Sequence, residues 1–292
     1  MNKMKYINKI KGNISIYSRN KTINILDGLS KSIYKGKSMD FDDLREYTFG
    51  DDVKDIDWKA SARSTKPLVR RFVAEKKHNI LCIMDSGKKM LADTSLNEKK
   101  QDLAIFASGT LAYIANYGEN LVSFAFNKKN NIELKPFRFG LSNIELSLGD
   151  YDKNMDITDK NSLDDILLNV LKKYKRKMII FIITDISGID NIQEETIKKI
   201  SVYNDLYVIN ISDADIISKD AFDIEQDRYI SKLISNNKKI EELNKRVKEE
   251  IYNKCKNKLK KYNISSVTIE SNEQILNKII ALLKESKNAN IR

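Results

Sequence analysis

Two aspartates sit where a carboxylate can do chemistry. Asp85 follows the apolar run Ile80–Met84, and Asp185 follows Met178–Thr184. Both runs suit strands of a parallel sheet buried on both faces, and such a sheet binds ligands beyond the carboxyl ends of its strands, where strand order reverses. If the two strands are neighbours, the carboxylates open onto one crevice. Oxygens from Asp, Ser86 and Thr184 on adjacent loops form the donor set that a hard cation such as Mg²⁺ selects. Taken singly, each aspartate reads as an ordinary helix cap.

A second candidate precedes the first strand. Residues 40–63 carry Asp40, Asp42, Asp43, Asp51, Asp52, Asp55 and Asp57 together with Arg45, Arg63 and the single tryptophan, Trp58. Phe49-Gly50-Asp51-Asp52 reads as a turn, Asp57 or Asp52 can pair with Arg45 or Arg63, and Trp58 with Ile56 would anchor that network to the core. Asp51, Asp52, Asp55 and Asp57 could alternatively form a carboxylate-only metal site for hydrolysis. The interleaved arginines favour a clasp or a docking surface.

The elements that must position these groups alternate. Strand-like runs at Ile80–Met84, Leu121–Phe126, Met178–Thr184 and Leu206–Ile211 are separated by helical segments near Asn97–Tyr117, Asn161–Tyr174 and Asn191–Tyr203. This predicts an α/β fold with a doubly wound, mostly parallel sheet. A Lys/Glu-rich amphipathic helix at Ile234–Tyr262, an edge strand at Ser265–Ile269 and a helix at Ile275–Leu283 complete it. The expected division is an irregular N-terminal segment, 1–77, and an α/β domain, 78–292, that includes the basic C-terminal helical part.

Composition narrows the functions. The chain has 292 residues and a formal charge of +11. Residues 1–37 hold +8, 231–262 hold +7 and 263–292 hold +1, which leaves −5 for residues 38–230. The basic excess therefore lies in the flanks, which lack a recognised nucleic-acid motif or stacking platform, although peripheral contact with an anionic membrane stays open. One histidine, His78, and two cysteines, Cys82 and Cys255, exclude a multi-histidine centre and a four-thiolate zinc site. No apolar run approaches the roughly 20 residues of a membrane span, and no secretory signal is evident. The expected compartment is the cytoplasm.

The acid-rich segment closely resembles the signature of the domain of unknown function 58 family. Its elements stand in order as Leu44-Arg45-Glu46-Tyr47, Gly50-Asp51-Asp52, Ile56-Asp57-Trp58, Ser61-Ala62-Arg63 and Val69-Arg70. The resemblance implies a von Willebrand factor A-like domain after the signature and a MoxR-type AAA+ ATPase as partner in assembling or maturing other complexes. It marks Arg45, Tyr47, Gly50, Asp51, Asp52, Asp57, Trp58, Ser61 and Arg63 as a docking set. The metal-ion-dependent adhesion site of such domains begins Asp-x-Ser-x-Ser, whereas this loop reads Asp85-Ser86-Gly87-Lys88-Lys89. The site is accordingly expected to be degenerate, with Asp85, Ser86 and Asp185 retained and Lys89 or water standing where other members hold the ion. The cofactor expectation is none, or weakly bound Mg²⁺. The resemblance implies no established reaction, so the expected role is a non-enzymatic interaction module. The alternatives are a metal-dependent hydrolase and a nucleic-acid binder.

Overall fold

The computed structural model describes residues 4–14, 40–73, 78–129, 131–154, 162–213, 222–223, 228–229 and 238–289. Most of the basic N-terminal flank lies outside the described residues. The chain divides into two compact units, one of residues 27–77 and one of residues 1–26 with 78–292. Residues 1–26, expected in the N-terminal segment, group with the α/β unit.

In the larger unit the strands are β3 (Asn79–Met84), β4 (Leu121–Lys128), β5 (Asn131–Leu134), β6 (Ile179–Thr184), β7 (Asp205–Ile211) and β10 (Ser265–Ile269), in the spatial order β10-β7-β6-β3-β4-β5. All neighbours are parallel except β4 and β5. Two short strands, β8 (Phe222–Asp223) and β9 (Arg228–Tyr229), form a separate antiparallel pair. The chain runs outward from β3 to β4 and β5, then returns to the other side of β3 to lay down β6, β7 and β10. Strand order thus reverses between β3 and β6, which are hydrogen-bonded neighbours. The doubly wound, mostly parallel sheet is as the alternating apolar runs predict.

Alternation within the strands sends one set of side chains to each face. Leu81, Ile83, Ile180, Ile182, Leu206 and Val208 form one core with α5 (Leu163–Lys173), α6 (Ile186–Asn191), α7 (Glu194–Ser201) and the end of α8 (Lys238–Lys261). The opposite face is covered by α3 (Lys100–Tyr117), which packs on β3, β4, β6 and β7 and in turn carries α1 (Lys5–Asn13), α4 (Leu141–Lys153) and α9 (Ile275–Ala289). A helix enclosed on so many sides must be apolar nearly all round, and Leu103, Ala104, Ile105, Ala107, Leu111 and Ile114 are all buried. α1 docks by its start: the backbone N–H groups of Tyr6 and Ile7 donate to the Glu145 carboxylate at 2.9–3.1 Å. That carboxylate satisfies donors which a helix leaves unpaired in its first turn.

The smaller unit is a hairpin, β1 (Asp40–Glu46) against β2 (Leu68–Val73), whose connection contains a 3₁₀ turn at Val53–Asp55 and the short helix α2 (Trp58–Ser61). Among the described residues, no helix is long and apolar enough to cross a membrane.

Candidate functional site at the strand-order reversal

Asp85 leaves β3 with its carboxylate committed on both oxygens. Oδ1 accepts the Gly87 N–H at 2.8 Å, and Oδ2 lies 2.5 Å from the Thr184 hydroxyl at the end of β6. Its backbone is fixed as well, because its N–H donates to Ile183 O at 2.9 Å and its carbonyl accepts the buried Tyr151 hydroxyl at 2.6 Å. Burial raises Asp85 above the ordinary carboxylate range against the lowering effect of the Thr184 and Gly87 bonds, and the neighbouring Asp185 charge raises it further. The two carboxylates therefore do meet at one junction, as adjacency of β3 and β6 requires.

Asp185 is 1% exposed and caps α6: Oδ1 accepts the Gly188 N–H at 2.9 Å. Gly188 has to be glycine for a spatial reason. A Cβ there would lie 1.9 Å from Thr184 Oγ1 and 2.7 Å from Asp85 Oδ2. The second Asp185 oxygen receives the Lys100 ammonium at 3.0 Å, and the same ammonium pairs with Asp213, which follows β7. Lys100 is itself only 1% exposed. Burial alone would lower this lysine, yet the Asp185 and Asp213 charges raise it above its ordinary value.

Ser86, expected to face the cluster, turns the other way: its Oγ accepts the Asn127 N–H of β4 at 3.1 Å. Lys89, read as the stand-in for the ion, and Lys100, which the sequence reading did not single out, take different places. Lys89 is exposed and donates to Ser187 Oγ at 3.4 Å, while the ammonium against Asp185 comes from the first turn of α3. The spacing of the Asp85 loop directed attention to Lys89, eleven residues too early. The available signal was a lysine opening an otherwise apolar helix, on the buried side of its stripe.

A hard divalent cation does not fit this donor set. Gly87 has no side-chain oxygen, Ser86 is engaged with β4, both Asp85 oxygens accept hydrogen bonds, and Asp185 is divided between a backbone N–H and an ammonium. Mg²⁺ keeps several of its waters and is held through one or two carboxylates, and here every Asp85 and Asp185 oxygen already has a donor on it.

In the smaller unit the acids have been put to local use. Asp51 pairs with Arg45 at 2.6 Å and accepts the Thr48 N–H and hydroxyl, both at 2.9 Å. The Thr48 backbone bond and the Arg45 guanidinium hold its carboxyl at about 2. The turn closes through Gly50 at φ 103°, a left-handed value that suits glycine. Asp52 caps the 3₁₀ turn through the Lys54 N–H at 3.1 Å, and Asp57 caps α2 through Ala60 N at 3.0 Å. The expected ion pairs of Asp52 and Asp57 with Arg45 or Arg63 are therefore replaced by caps, and Arg63 is exposed. Ser61 staples the helix to β2, since its Oγ donates to Asp57 O and accepts the Leu68 N–H. Tyr47 is held by its backbone N–H on Pro67 O at 2.9 Å. Ile56 is buried and bridges to Val69, but Trp58 is 65% exposed and Phe49 wholly so. Only Ile56 acts as the anchor expected of the pair.

The family model described as "Protein of unknown function DUF58" matches residues 43–216. The chain belongs to this family. The match takes in both the signature of the smaller unit and the strand-end cluster of the larger one, through Asp213. Among curated proteins, this DUF58 chain is similar to the uncharacterized proteins Rv1480 of Mycobacterium tuberculosis and Mb1516 of Mycobacterium bovis. Each is 29% identical over 96 residues, which is 33% of this chain. The matched stretch spans 30% of the length of these relatives. Among solved structures it is similar to the conserved hypothetical protein BatB from Bacteroides thetaiotaomicron, with 11% identity, a TM-score of 0.49, and coverage of 72% of this chain and 99% of that one. The α/β architecture stands on the strand order itself, which counted within the sheet runs 3-2-1-4-5-6.

Proposed function

We propose that this DUF58 protein is a non-enzymatic protein-interaction module, and that its partner is a MoxR-type AAA+ ATPase for which it acts as adaptor in assembling or maturing other complexes. The observation that carries this reading is the division of labour inside the signature. Its acids cap turns and pair with Arg45, while Phe49, Val53 and Trp58 stay exposed at 103%, 59% and 65%. Large apolar side chains on a rigid, hydrogen-bonded loop are the usual material of an interaction hot spot. The von Willebrand A-like crevice, degenerate as a metal-ion-dependent adhesion site, offers a second, polar contact point on the larger unit. There Lys89, beside Ser187, supplies a positive charge to a partner's acid.

The hydrolase alternative is weakened by the same bonds. Asp51, Asp52 and Asp57 accept the backbone N–H groups of Thr48, Lys54 and Ala60, and among the described residues no group of three His, Cys, Asp or Glu side chains could hold a metal ion. A pull-down of the ATPase with the full chain tests the proposal. Capture is expected to survive EDTA, to weaken with salt as exposed charges are screened, and to fall at least tenfold in Trp58→Ala with no loss of folding. Capture that is unchanged in both Trp58→Ala and Phe49→Ala would overturn it. So would Mn²⁺-dependent phosphoester hydrolysis that disappears in Asp52→Ala.

A further inference from the structure

Lys100 is the buried cation of the strand-end cluster, and its placement is built rather than incidental. Its own N–H donates to Ala92 O at 3.0 Å, closing a loop in which Thr94 N donates to Glu98 O at 2.8 Å and Asp93 bridges Lys99. Glu98 of that loop accepts the Asn272 N–H ahead of α9 at 3.0 Å, so the loop is tied to the far edge of the unit as well. This framework delivers an ammonium to the ends of two adjacent strands, where it meets Asp185 after β6 and Asp213 after β7. Nothing about a solubilising lysine requires either the burial or the two partners. An isolated buried ammonium costs several kcal/mol, and only close carboxylates offset that cost.

We propose that the Lys100 ammonium is the resident cation of this crevice, holding the β6 and β7 termini together in the role a divalent ion would otherwise fill, so that the cluster is complete without metal. The proposal concerns the neutralisation of the cluster and is independent of any partner. Its chemical corollary is directional. Deleting the ammonium leaves Asp185 and Asp213 facing a vacated position with no compensating charge. Two carboxylates in that situation recruit a hard cation.

The test uses the full chain and the ions Mg²⁺ and Mn²⁺ themselves. In the wild type, EDTA and either ion are expected to leave Tm unchanged, and Mn²⁺ to show no stoichiometric binding by electron paramagnetic resonance. Lys100→Ala is expected to lower Tm by roughly 10 °C, the scale of a broken buried pair, and Mn²⁺ or Mg²⁺ to restore a large part of it. If Lys100→Ala does not fold alone, refolding it with Mn²⁺ gives the same readout. The variant Lys100→Met with Asp185→Asn and Asp213→Asn, which removes both charges along with the ammonium, is expected to be more stable than Lys100→Ala and indifferent to metal. Stoichiometric Mn²⁺ binding by the wild type, or a Lys100→Ala defect that no divalent cation relieves, would overturn the proposal.

Discussion

Thr184 and Asp85 meet across the β3–β6 junction, hydroxyl to carboxylate at 2.5 Å, under a glycine whose missing Cβ makes the approach feasible. Gly188→Ala places a methyl 1.9 Å from the Thr184 oxygen. Overpacking of this kind costs about 1–3 kcal/mol, and the clash is with an atom held by a buried carboxylate. Thr184→Ala removes the struck atom, so the double variant should lose less stability than the two single losses combined. Urea denaturation of the four proteins measures this coupling.

Burial works against the ionised form of Asp85. Its folded pKa is raised by burial, so between the ordinary carboxylate value and that raised value the native state binds more protons than the unfolded chain, and stability rises as pH falls through the window. Asp85→Asn keeps the acceptor for the Gly87 N–H and can donate to Thr184. At neutral pH it should raise stability and flatten the acid side of the Tm–pH curve. A drop in Tm at neutral pH would contradict this account of the site.

Asp51 shows the opposite sign. Its carboxyl is lowered to about 2, first by the Thr48 N–H and then by Arg45. The turn it braces is at full strength above pH 4 and weakens as pH falls toward 2. A carboxyl titration by NMR should find a midpoint near 2 in the wild type. In Arg45→Ala the midpoint should rise only part of the way to the normal value, because the backbone bond remains.

The Cys82 thiol lies in the middle of β3 and is pushed up to about 12 by burial alone. Cys255 is also buried, against the carbonyl of Ile186, and is raised for the same reason, with the Asp190 charge adding to it. Thiolates are the reactive form. Native protein at pH 8 should therefore resist alkylation at both cysteines, and unfolding in urea should expose both to reagent at once. Rapid labelling of Cys82 in the native state would refute the placement of β3.

The central strands were legible because burial on both faces leaves uninterrupted apolar runs. Ser265–Ile269 appears at the edge with the limits read from its residues, and the other strands differ by one or two positions at their ends. β5 and α4 were not anticipated. β5 is four half-buried residues on the antiparallel edge, and α4 is a polar-faced helix that buries little beyond Ile144, Ser147, Leu148 and Tyr151. Neither carries a strong periodic signal. At the site, the two aspartates were readable from strand ends, but the cation was not. Lys100 reaches Asp185 across 85 residues of chain and Asp213 across 113. Only the packing of α3 on the sheet brings these groups together.

The dock of α1 also fixes an order of events during synthesis. Ile7 and Ile10 are made well before Glu145, which accepts the N–H of Tyr6 from 139 residues downstream. At about 5–20 residues per second the ribosome takes roughly 7–30 s to reach it. Until α3 and α4 have both been made, the apolar side of α1 lacks part of the surface it packs on. Newly made chains thus carry an uncovered apolar helix face for seconds before the fold closes over it.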